Sequence, residues 1–530
     1  MRNLAQSVRD RAACDPDGEA LVYGERRLTY GELWAGIAKA AAVITASGVG
    51  RGEHVAVLLE KRVETILALY GAAWAGAVFI PINPMLKPDQ VTHIMQDSGA
   101  RTLITTRVRA GMLGARLADC PALEALLLVG GGGPAVRCAD RLVQTDWTAS
   151  LAAAQPLHPV DTLDEDIAAI LYTSGSTGLP KGVVLSQRNL IEGARSVVEY
   201  IGNGPDDRIL SLLPLSFDAG LSQVTTAFAS GACVVLVNYI GAEDIPGICV
   251  AERITGITGV PPLWAQLVKV AWPQEACRLR YVANTGGRMH ISTLTAMRSL
   301  YREARVYLMY GLTEAFRSTY LPPEQVDRRP DSIGKAIPNA RILVVRPDGS
   351  ECLPGEEGEL VHIGAQVAQG YLNQPALTAQ RFRPSPEPCL PGTAPRAAVW
   401  SGDIVRRDEE GYLYFVERKD NMIKTSGYRV SPTEIESVVN ESGDVAEVAA
   451  IGIEDEDLGQ VIAVAVVRAQ AGDLRKAVEA ICREKLPIYM LPRHVIELDA
   501  LPRNPNGKYD YHAIRRLALD AMGELVHELH

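Results

Sequence analysis

A loop rich in glycine and hydroxyl residues is the segment of this sequence best suited to chemistry. It runs from Leu171 to Gly182 as LYTSGSTGLPKG and leaves the apolar pattern AAILY. Glycines let backbone N–H groups approach phosphate oxygens, hydroxyls add donors, and Lys181 supplies a positive charge. The lysine follows a proline and no G-K-[ST] occurs, so this is not a Walker loop. The pattern predicts a phosphate-binding loop that contains Thr173, Ser174, Gly175, Ser176, Thr177 and Gly178.

Composition excludes several classes of protein. The 530 residues are 47% hydrophobic and 22% charged, which is typical of globular proteins and allows roughly three or four structural units. A formal charge of -10 argues against general nucleic-acid binding. Nine scattered cysteines without a C-x-x-C pair predict reduced thiols and a cytoplasmic location. We expect no membrane span, because the uncharged stretch 65–86 carries glycines and prolines typical of a buried helix, a buried strand and a turn.

The elements that position the loop alternate in type along the chain. Short β-branched runs and alanine-rich helical patterns follow one another in two rounds up to about Tyr310, which predicts two α/β sheets. Closely spaced short strands from about Arg341 to Val416 predict a small β-barrel-like unit. We therefore predict an α/β fold with a large N-terminal domain (1–416), a hinge (417–420) and a small mobile α+β C-terminal domain (421–530).

Further motifs extend the pattern over nearly the whole chain. They are RLTYGEL, GAVFIPINP, the loop above, YGLTE, GELVHIGAQVAQGYLNQP, SGD, ERKDNMIKTSGYRVSPTEIE and NPNGK, in this order. In these motifs the chain resembles the AMP-forming adenylating superfamily of acyl-CoA synthetases, amino-acid adenylation domains and luciferases. Its YGLTEAFRSTYLPPEQVDRRPDSIGKAIPNA stretch is similar to the acyl-CoA ligases that accompany bacterial exosortase systems.

The resemblance implies an ATP site with Mg²⁺. The loop from Thr173 to Lys181 would hold the β and γ phosphates, Thr313 the α-phosphate, and Glu314 the metal ion. The remaining nucleotide contacts implied by the family are Gly286, Gly287 and Tyr310 around adenine, and Asp403 with Arg418 at the ribose. Lys508 would bridge carboxylate and phosphate oxygens while the adenylate forms, so Lys508, Thr313, Glu314 and Lys181 are the implied catalytic residues.

The same resemblance implies two half-reactions at one site. The small domain would rotate about Asp420, and the segment KTSGY would then replace Lys508 at the active site. Within that segment, Lys424 and Gly427 would line the tunnel for a pantetheine arm. The thiol would belong to CoA or to the phosphopantetheine of a separate carrier protein, and the sequence leaves this choice open.

The acid pocket carries one unusual pair of charges. Asp218 matches the aspartate that amino-acid-activating members use to hold the substrate ammonium, and Arg317 falls at a pocket position. Buried charges need partners, so either this pair contacts polar groups of the substrate or the two residues form a structural bridge. The first option predicts a small polar acid or an amino acid, and the alternative is a medium- or long-chain fatty acyl substrate. The implied pocket residues are Phe217, Asp218, Ser222, Gly259, Trp264, Gly311 and Arg317.

Two other functional classes compete with the ligase. A non-catalytic scaffold would be expected to have lost Lys181, Glu314, Asp403 or Lys508, and all four are present. A luciferase-like oxidation depends on a special acid rather than on new motif residues. We expect no nucleic-acid partner, and the oligomeric state is left open, with a homodimer as one option.

Overall fold

The computed structural model describes residues 2–131, 133–173, 180–277, 279–388, 392–418, 422–470, 473–503 and 509–527. Within these ranges, the side chains of 276–277, 417–418 and 523–527 are not described. The strands, in chain order, are β1 Glu19–Tyr23, β2 Arg26–Thr29, β3 His54–Leu58, β4 Val78–Pro81, β5 Thr102–Thr106, β6 Ala125–Val129, β7 Val143–Asp146, β8 Ile167–Thr173, β9 Lys181–Ser186, β10 Arg208–Ser211, β11 Cys233–Leu236, β12 Gly256–Gly259, β13 Tyr281–Asn284, β14 Arg305–Tyr310, β15 Thr319–Leu321, β16 Ser332–Ala336, β17 Ala340–Val345, β18 Glu357–Gly364, β19 Gly370–Tyr371, β20 Phe382–Pro384, β21 Ala397–Arg407, β22 Leu413–Arg418, β23 Ile423–Thr425, β24 Tyr428–Val430, β25 Val445–Asp455, β26 Gly459–Arg468 and β27 His494–Glu497. The α-helices are α1 Gln6–Cys14, α2 Tyr30–Ala46, α3 Val63–Trp74, α4 Pro88–Ser98, α5 Arg107–Leu113, α6 Trp147–Ala153, α7 Gln187–Ile201, α8 Asp218–Ser230, α9 Asp244–Ala251, α10 Pro261–Leu267, α11 Ile291–Leu300, α12 Pro375–Arg381, α13 Pro432–Asn440, α14 Leu474–Lys485 and α15 Tyr511–His527.

The first sheet has the strand order β19-β9-β8-β4-β3-β5-β6-β7. The strands from β8 to β7 in this order run parallel, and β9 and β19 add an antiparallel edge. Helix α3 is buried at nearly every position because it lies in the apolar core, and β4 is buried throughout. The prediction of a buried helix and strand in the stretch 65–86 is therefore confirmed. None of the helices in the described part of the chain has the length and hydropathy needed to cross a bilayer.

The second sheet has the order β17-β18-β21-β22-β16-β15-β14-β13-β12-β10-β11-β1-β2. Its centre, from β14 to β11, is parallel, and the β-rich unit joins this centre through the β16–β22 ladder. The sequence did not predict that β1 would pair with β11, a contact that brings Leu21 opposite Val234. Two α/β sheets and a β-rich unit were expected, and the fold class is confirmed.

The third sheet, β24-β23-β26-β25 with β27 beside β26, contains only strands that follow β22. Helices α13 and α14 pack on one face through an apolar cluster that includes Ile435, Val464 and Val478. Helix α15 contributes Ile514 to a second cluster with Ile451. The small α+β unit therefore has a core of its own.

Candidate active site

One strand of the first sheet and two strands of the second sheet end around one cavity of about 550 Å³. Thr173 ends β8, Gly286 lies just beyond β13, and Thr313 follows β14, and all three line the cavity. Ligands of open α/β sheets bind outside the carboxyl ends of the strands, because the connecting loops meet there. Gly286 has φ +77°, a backbone conformation that residues with a side chain rarely adopt. A glycine is therefore favoured at this turn beside the cavity. The sequence predicted these three positions as nucleotide contacts.

An aspartate on the cavity wall is joined to a tyrosine that does not itself line the cavity. The hydroxyl of Tyr310 donates a hydrogen bond to Asp403 Oδ2, and Asp403 lines the cavity. Asp403 lies on β21, where the β-ladder pairs it with Arg418. A carboxylate at this place can accept hydrogen bonds from two neighbouring hydroxyl groups, such as those of a ribose.

Lys181 and Glu314 form a buried ion pair behind the cavity wall. Lys181 Nζ lies 3.4 Å from Glu314 Oε1 and 3.9 Å from the centroid of the Tyr371 ring. The Tyr371 hydroxyl donates to the same carboxylate oxygen at 2.6 Å. Burial disfavours charge on Glu314, but Lys181 and nearby arginines outweigh it and hold the pKa of Glu314 well below its ordinary value. Burial also lowers the pKa of Lys181 to about 8, against the opposing charge of Glu314.

The two charged residues of the predicted acid pocket contact each other. Arg317 Nη1 lies 3.5 Å from Asp218 Oδ2, with side-chain exposures of 3% and 18%. Asp218 begins α8 and lines the cavity, whereas Arg317 does not. Burial raises the pKa of Asp218, and the Arg317 charge opposes this rise. Arg317 Nε has no hydrogen-bond partner among the described residues, so the pair does not use all the donors of the guanidinium.

Several predicted residues lie away from the cavity wall. Trp264 is fully buried, its indole N–H donates to the Ala283 carbonyl at 3.2 Å, and it packs in the apolar core. A Cβ on Gly259 would lie 3.0 Å from the Trp264 Nε1 atom, so Gly259 serves that packing. Ser222 is buried within α8. Of the seven predicted pocket residues, Phe217, Asp218 and Gly311 line the cavity.

Of the two glycines predicted to contact adenine, only one lines the cavity. Gly286 lines the cavity, while Gly287 turns its carbonyl to accept a hydrogen bond from Asn284 Nδ2 at 3.0 Å. A Cβ on Gly287 would meet Pro261 Cγ at 3.1 Å, which gives this glycine a packing role. Other predicted site residues lie outside the described residues, namely Ser174, Gly175, Ser176, Thr177, Gly178, Asp420, Lys508 and the side chain of Arg418.

The small C-terminal unit closes the cavity from the other side. Lys424, Gly427 and Tyr428 line it together with Thr313 and Asp403. The Tyr428 ring packs edge-on against Phe217, with the ring centroids 5.0 Å apart. The segment KTSGY therefore faces the same space as the predicted nucleotide contacts.

Sequence reasoning missed several residues on this wall. Lys61 is buried, donates to the Leu212 carbonyl, and burial lowers its pKa to about 7. Glu434 accepts a hydrogen bond from Gln90 Nε2 at 2.6 Å across the two parts of the chain, and burial raises its pKa to about 7. Both residues line the cavity. Lys61 lies outside the quoted motifs, and Glu434 lies inside ERKDNMIKTSGYRVSPTEIE but without an implied role, so only the tertiary contacts identify them.

Glu314 is chemically suited to a hard divalent cation, because its carboxylate is held ionised. In the described ranges, no group of three or more histidine, cysteine, aspartate or glutamate side chains is arranged to hold a metal ion. In proteins Mg²⁺ usually takes most of its ligands from substrate phosphates and water.

Comparison with known sequences matches both parts of the chain. The profile of the AMP-binding enzyme family matches residues 8–372, and that of the AMP-binding enzyme C-terminal domain matches residues 434–508. Tyrocidine synthase 2 of Brevibacillus parabrevis is 29% identical over 97% of this chain and 13% of that protein. Phosphinothricin tripeptide synthetase PhsC of Streptomyces viridochromogenes is 31% identical over 97% of this chain and 45% of that protein. The chain thus spans a small fraction of the first relative and under half of the second.

Two structures of one enzyme resemble this chain to different degrees. A double mutant of o-succinylbenzoate CoA synthetase from Bacillus subtilis, bound to its product analogue OSB-NCoA, has a TM-score of 0.83 at 25% identity, over 97% of this chain and 98% of that chain. The same synthetase with the acyl-adenylate intermediate OSB-AMP has a TM-score of 0.68 at 25% identity, over 97% and 98% of the two chains. Over the whole chain, the present structure therefore superimposes better on the complex with the CoA product analogue.

Proposed function

Because the chain belongs to the AMP-binding enzyme family, we propose that it is an ATP-dependent, AMP-forming acid–thiol ligase. The observation that carries the proposal is one cavity bordered by Thr173, Gly286, Thr313 and Asp403 on the large part and by Gly427 on the small part. A nucleotide at one end and a thiol at the other would meet in this space. The domain division proposed here is 1–416, a hinge at 417–420 and 421–530.

In the first half-reaction, a carboxylate oxygen of the acid attacks the α-phosphorus of ATP. The new O–P bond forms as the bond to pyrophosphate breaks, and negative charge accumulates on phosphoryl oxygens. Thr313 and the loop that ends at Lys181 would donate to these oxygens, and Asp403 would hold the ribose hydroxyls. Glu314 would hold the Mg²⁺ that accompanies the phosphates.

In the second half-reaction, a thiolate attacks the carbonyl carbon of the acyl-adenylate. The C–S bond forms, the bond from the carbonyl carbon to the AMP oxygen breaks, and AMP leaves with both bonding electrons. The thiol proton passes to solvent. The position of Lys424 and Gly427 on the cavity wall supports this step, since the glycine leaves backbone where a side chain would narrow the passage.

The acid is proposed to be small and polar, with an amino acid as the leading class. Asp218 supports this because a carboxylate lines the cavity and retains acceptor capacity beyond its 3.5 Å contact with Arg317. A long alkyl chain would have to pass this buried charge, which is unfavourable. Acid-dependent ATP–pyrophosphate exchange across fatty, aryl and amino acids tests both activity and substrate class, and absence of exchange with every acid would contradict the ligase.

Removing one partner of the charged pair should change both stability and acid preference. Asp218→Ala leaves the Arg317 guanidinium buried without its carboxylate, so we expect the free energy of unfolding to fall by about 3 kcal/mol. We also expect the preferred acid to change, because the carboxylate on the cavity wall is lost. Urea denaturation and pyrophosphate exchange measure the two effects.

The double variant Asp218→Leu with Arg317→Met is the matched control. It removes both charges at once, so it should recover most of the lost stability without restoring the original acid preference. If Asp218→Ala keeps the original preference, the fatty acyl alternative replaces the amino-acid class.

Nucleotide binding should weaken at alkaline pH. Lys181 is charged below its lowered pKa of about 8 and neutral above it, so kcat/KM for ATP in the exchange reaction should fall as the pH rises through about 8. Lys181→Arg keeps the positive charge over this range. Its profile should stay flat where the unsubstituted enzyme declines, and identical profiles would show that another group titrates.

A further inference from the structure

A second cavity of about 350 Å³ adjoins the first on its outer side. The two cavities are separated by residues that line both of them. These shared residues are Met85, Tyr239, Val260, Ser426, Tyr428 and Tyr489. The shared wall combines residues of the large and small parts, so the outer cavity exists only while the two parts are in contact.

The boundary between the cavities is narrow. A Cβ on Gly427 would lie 2.8 Å from Val260 Cγ2, which is closer than two nonbonded carbon atoms approach each other. On the other side, the rings of Tyr428 and Tyr489 stack with centroids 3.6 Å apart. A slender, flexible arm fits such a passage better than a bulky group does.

The mouth of the outer cavity is apolar and exposed. Met85 and Ile488 line it and are 47% and 70% exposed, and Ile240, next to the lining residue Tyr239, is fully exposed at 100%. We call Met85, Ile240 and Ile488 the apolar rim. Large apolar side chains that cluster around an opening mark a surface that another molecule covers.

The lining of the outer cavity contains no lysine or arginine among the described residues. Lys269, three residues after the lining residue Gln266, is ion-paired with Asp457 across the two parts. Lys87, two residues after Met85, donates to the Arg483 carbonyl at 3.3 Å. Free CoA carries a phosphorylated adenosine diphosphate outside its pantetheine arm, and those phosphates favour charge-assisted contacts with cations.

We propose that the acceptor thiol at this mouth is the phosphopantetheine of a separate carrier protein, which docks on the apolar rim, rather than free CoA. The proposal rests on the ligase function above and specifies its partner. An apolar docking face on the carrier would cover the rim, and its arm would pass Gly427 to the acyl-adenylate. A carrier needs no contact with an adenosine nucleotide, which agrees with the lining.

The decisive experiment compares two small acceptors that share one arm. With the acyl-adenylate formed from the preferred acid, we expect kcat/KM for CoA and for 4′-phosphopantetheine to agree within about threefold, because the nucleotide adds no contacts. A preference for CoA of about tenfold or more would overturn the proposal. Pyrophosphate exchange is measured in the same samples, and its absence would count against the ligase itself, so the two failures are distinguishable.

A surface variant tests the docking. Ile240→Glu places a charge on the rim at a fully exposed residue that lines neither cavity, and it should lower acylation of purified phosphopantetheinylated carrier proteins by about tenfold or more. Exchange and transfer to 4′-phosphopantetheine should be unchanged. Val108→Glu, at a residue that is 75% exposed and lines neither cavity, is the control and should leave all three rates unchanged. Equal carrier acylation by both variants, or acylation of CoA alone, would overturn the proposal.

Discussion

Lys508→Ala is expected to lower acid-dependent ATP–pyrophosphate exchange by about three orders of magnitude, because a fixed cation at the reacting oxygens contributes on the order of 3 to 5 kcal/mol to the barrier. Lys508 lies outside the described residues, and its role rests on the motif NPNGK. Thioester formation from a supplied acyl-adenylate should stay within about twofold, because the segment KTSGY faces the cavity in the present arrangement.

The measurement separates the two half-reactions. Exchange reports the first, and release of AMP from synthetic acyl-adenylate with a thiol reports the second. Lys476→Ala is a suitable control, since this lysine of the small part is 84% exposed and pairs locally with Asp473. Equal loss of both half-reactions in Lys508→Ala would contradict the proposed rotation of the small domain.

Gly427→Ala is expected to have the opposite effect, with thioester formation reduced by about 100-fold and exchange nearly unchanged. The residue has φ +80°, and the new Cβ would meet Val260 Cγ2 at 2.8 Å. Both residues line the cavity in which the pantetheine arm would reach the acyl-adenylate. Adenylation should be spared, because this contact exists only while KTSGY lies at the cavity.

A glycine with the same backbone strain but free space provides the control. Gly443 lies in the small part with φ +75°, and a Cβ added there would meet none of the described atoms within 4 Å, so Gly443→Ala carries the conformational cost alone. Its transfer rate should match the unsubstituted enzyme. If both variants lose transfer equally, strain in the small domain rather than obstruction of the passage is responsible.

Residues in contiguous motifs were predictable from the sequence, and residues placed by packing were not. Thr173 and Thr313 reach the cavity because each ends or follows a strand that the sequence pattern indicated, and Asp403 reaches it within the motif SGD. Trp264 and Ser222 lie near motif residues in sequence, yet the structure directs them into the core. A helix presents only one face to a cavity, and the sequence alone did not indicate which face that is.

Contacts between distant segments were also beyond sequence reasoning. The sequence left open whether Asp218 and Arg317 contact the substrate or each other, and only the structure shows that they lie 3.5 Å apart. The hydrogen bond from Gln90 to Glu434 joins segments from the two parts of the chain. Neither residue type nor spacing predicts a contact of this kind, because the contact depends on how the sheets pack.

The pairing of β1 with β11 has a consequence for synthesis of the chain. Leu21 pairs locally with Leu28 of β2, but the other side of β1 pairs with β11 and has no partner until the chain has grown past Val234. Contacts of such long sequence separation slow folding and leave one edge of the strand exposed meanwhile. The ladder between β1 and β11 is therefore expected to form late, and during translation the hairpin of β1 and β2 exposes one unpaired strand edge that a chaperone could cover.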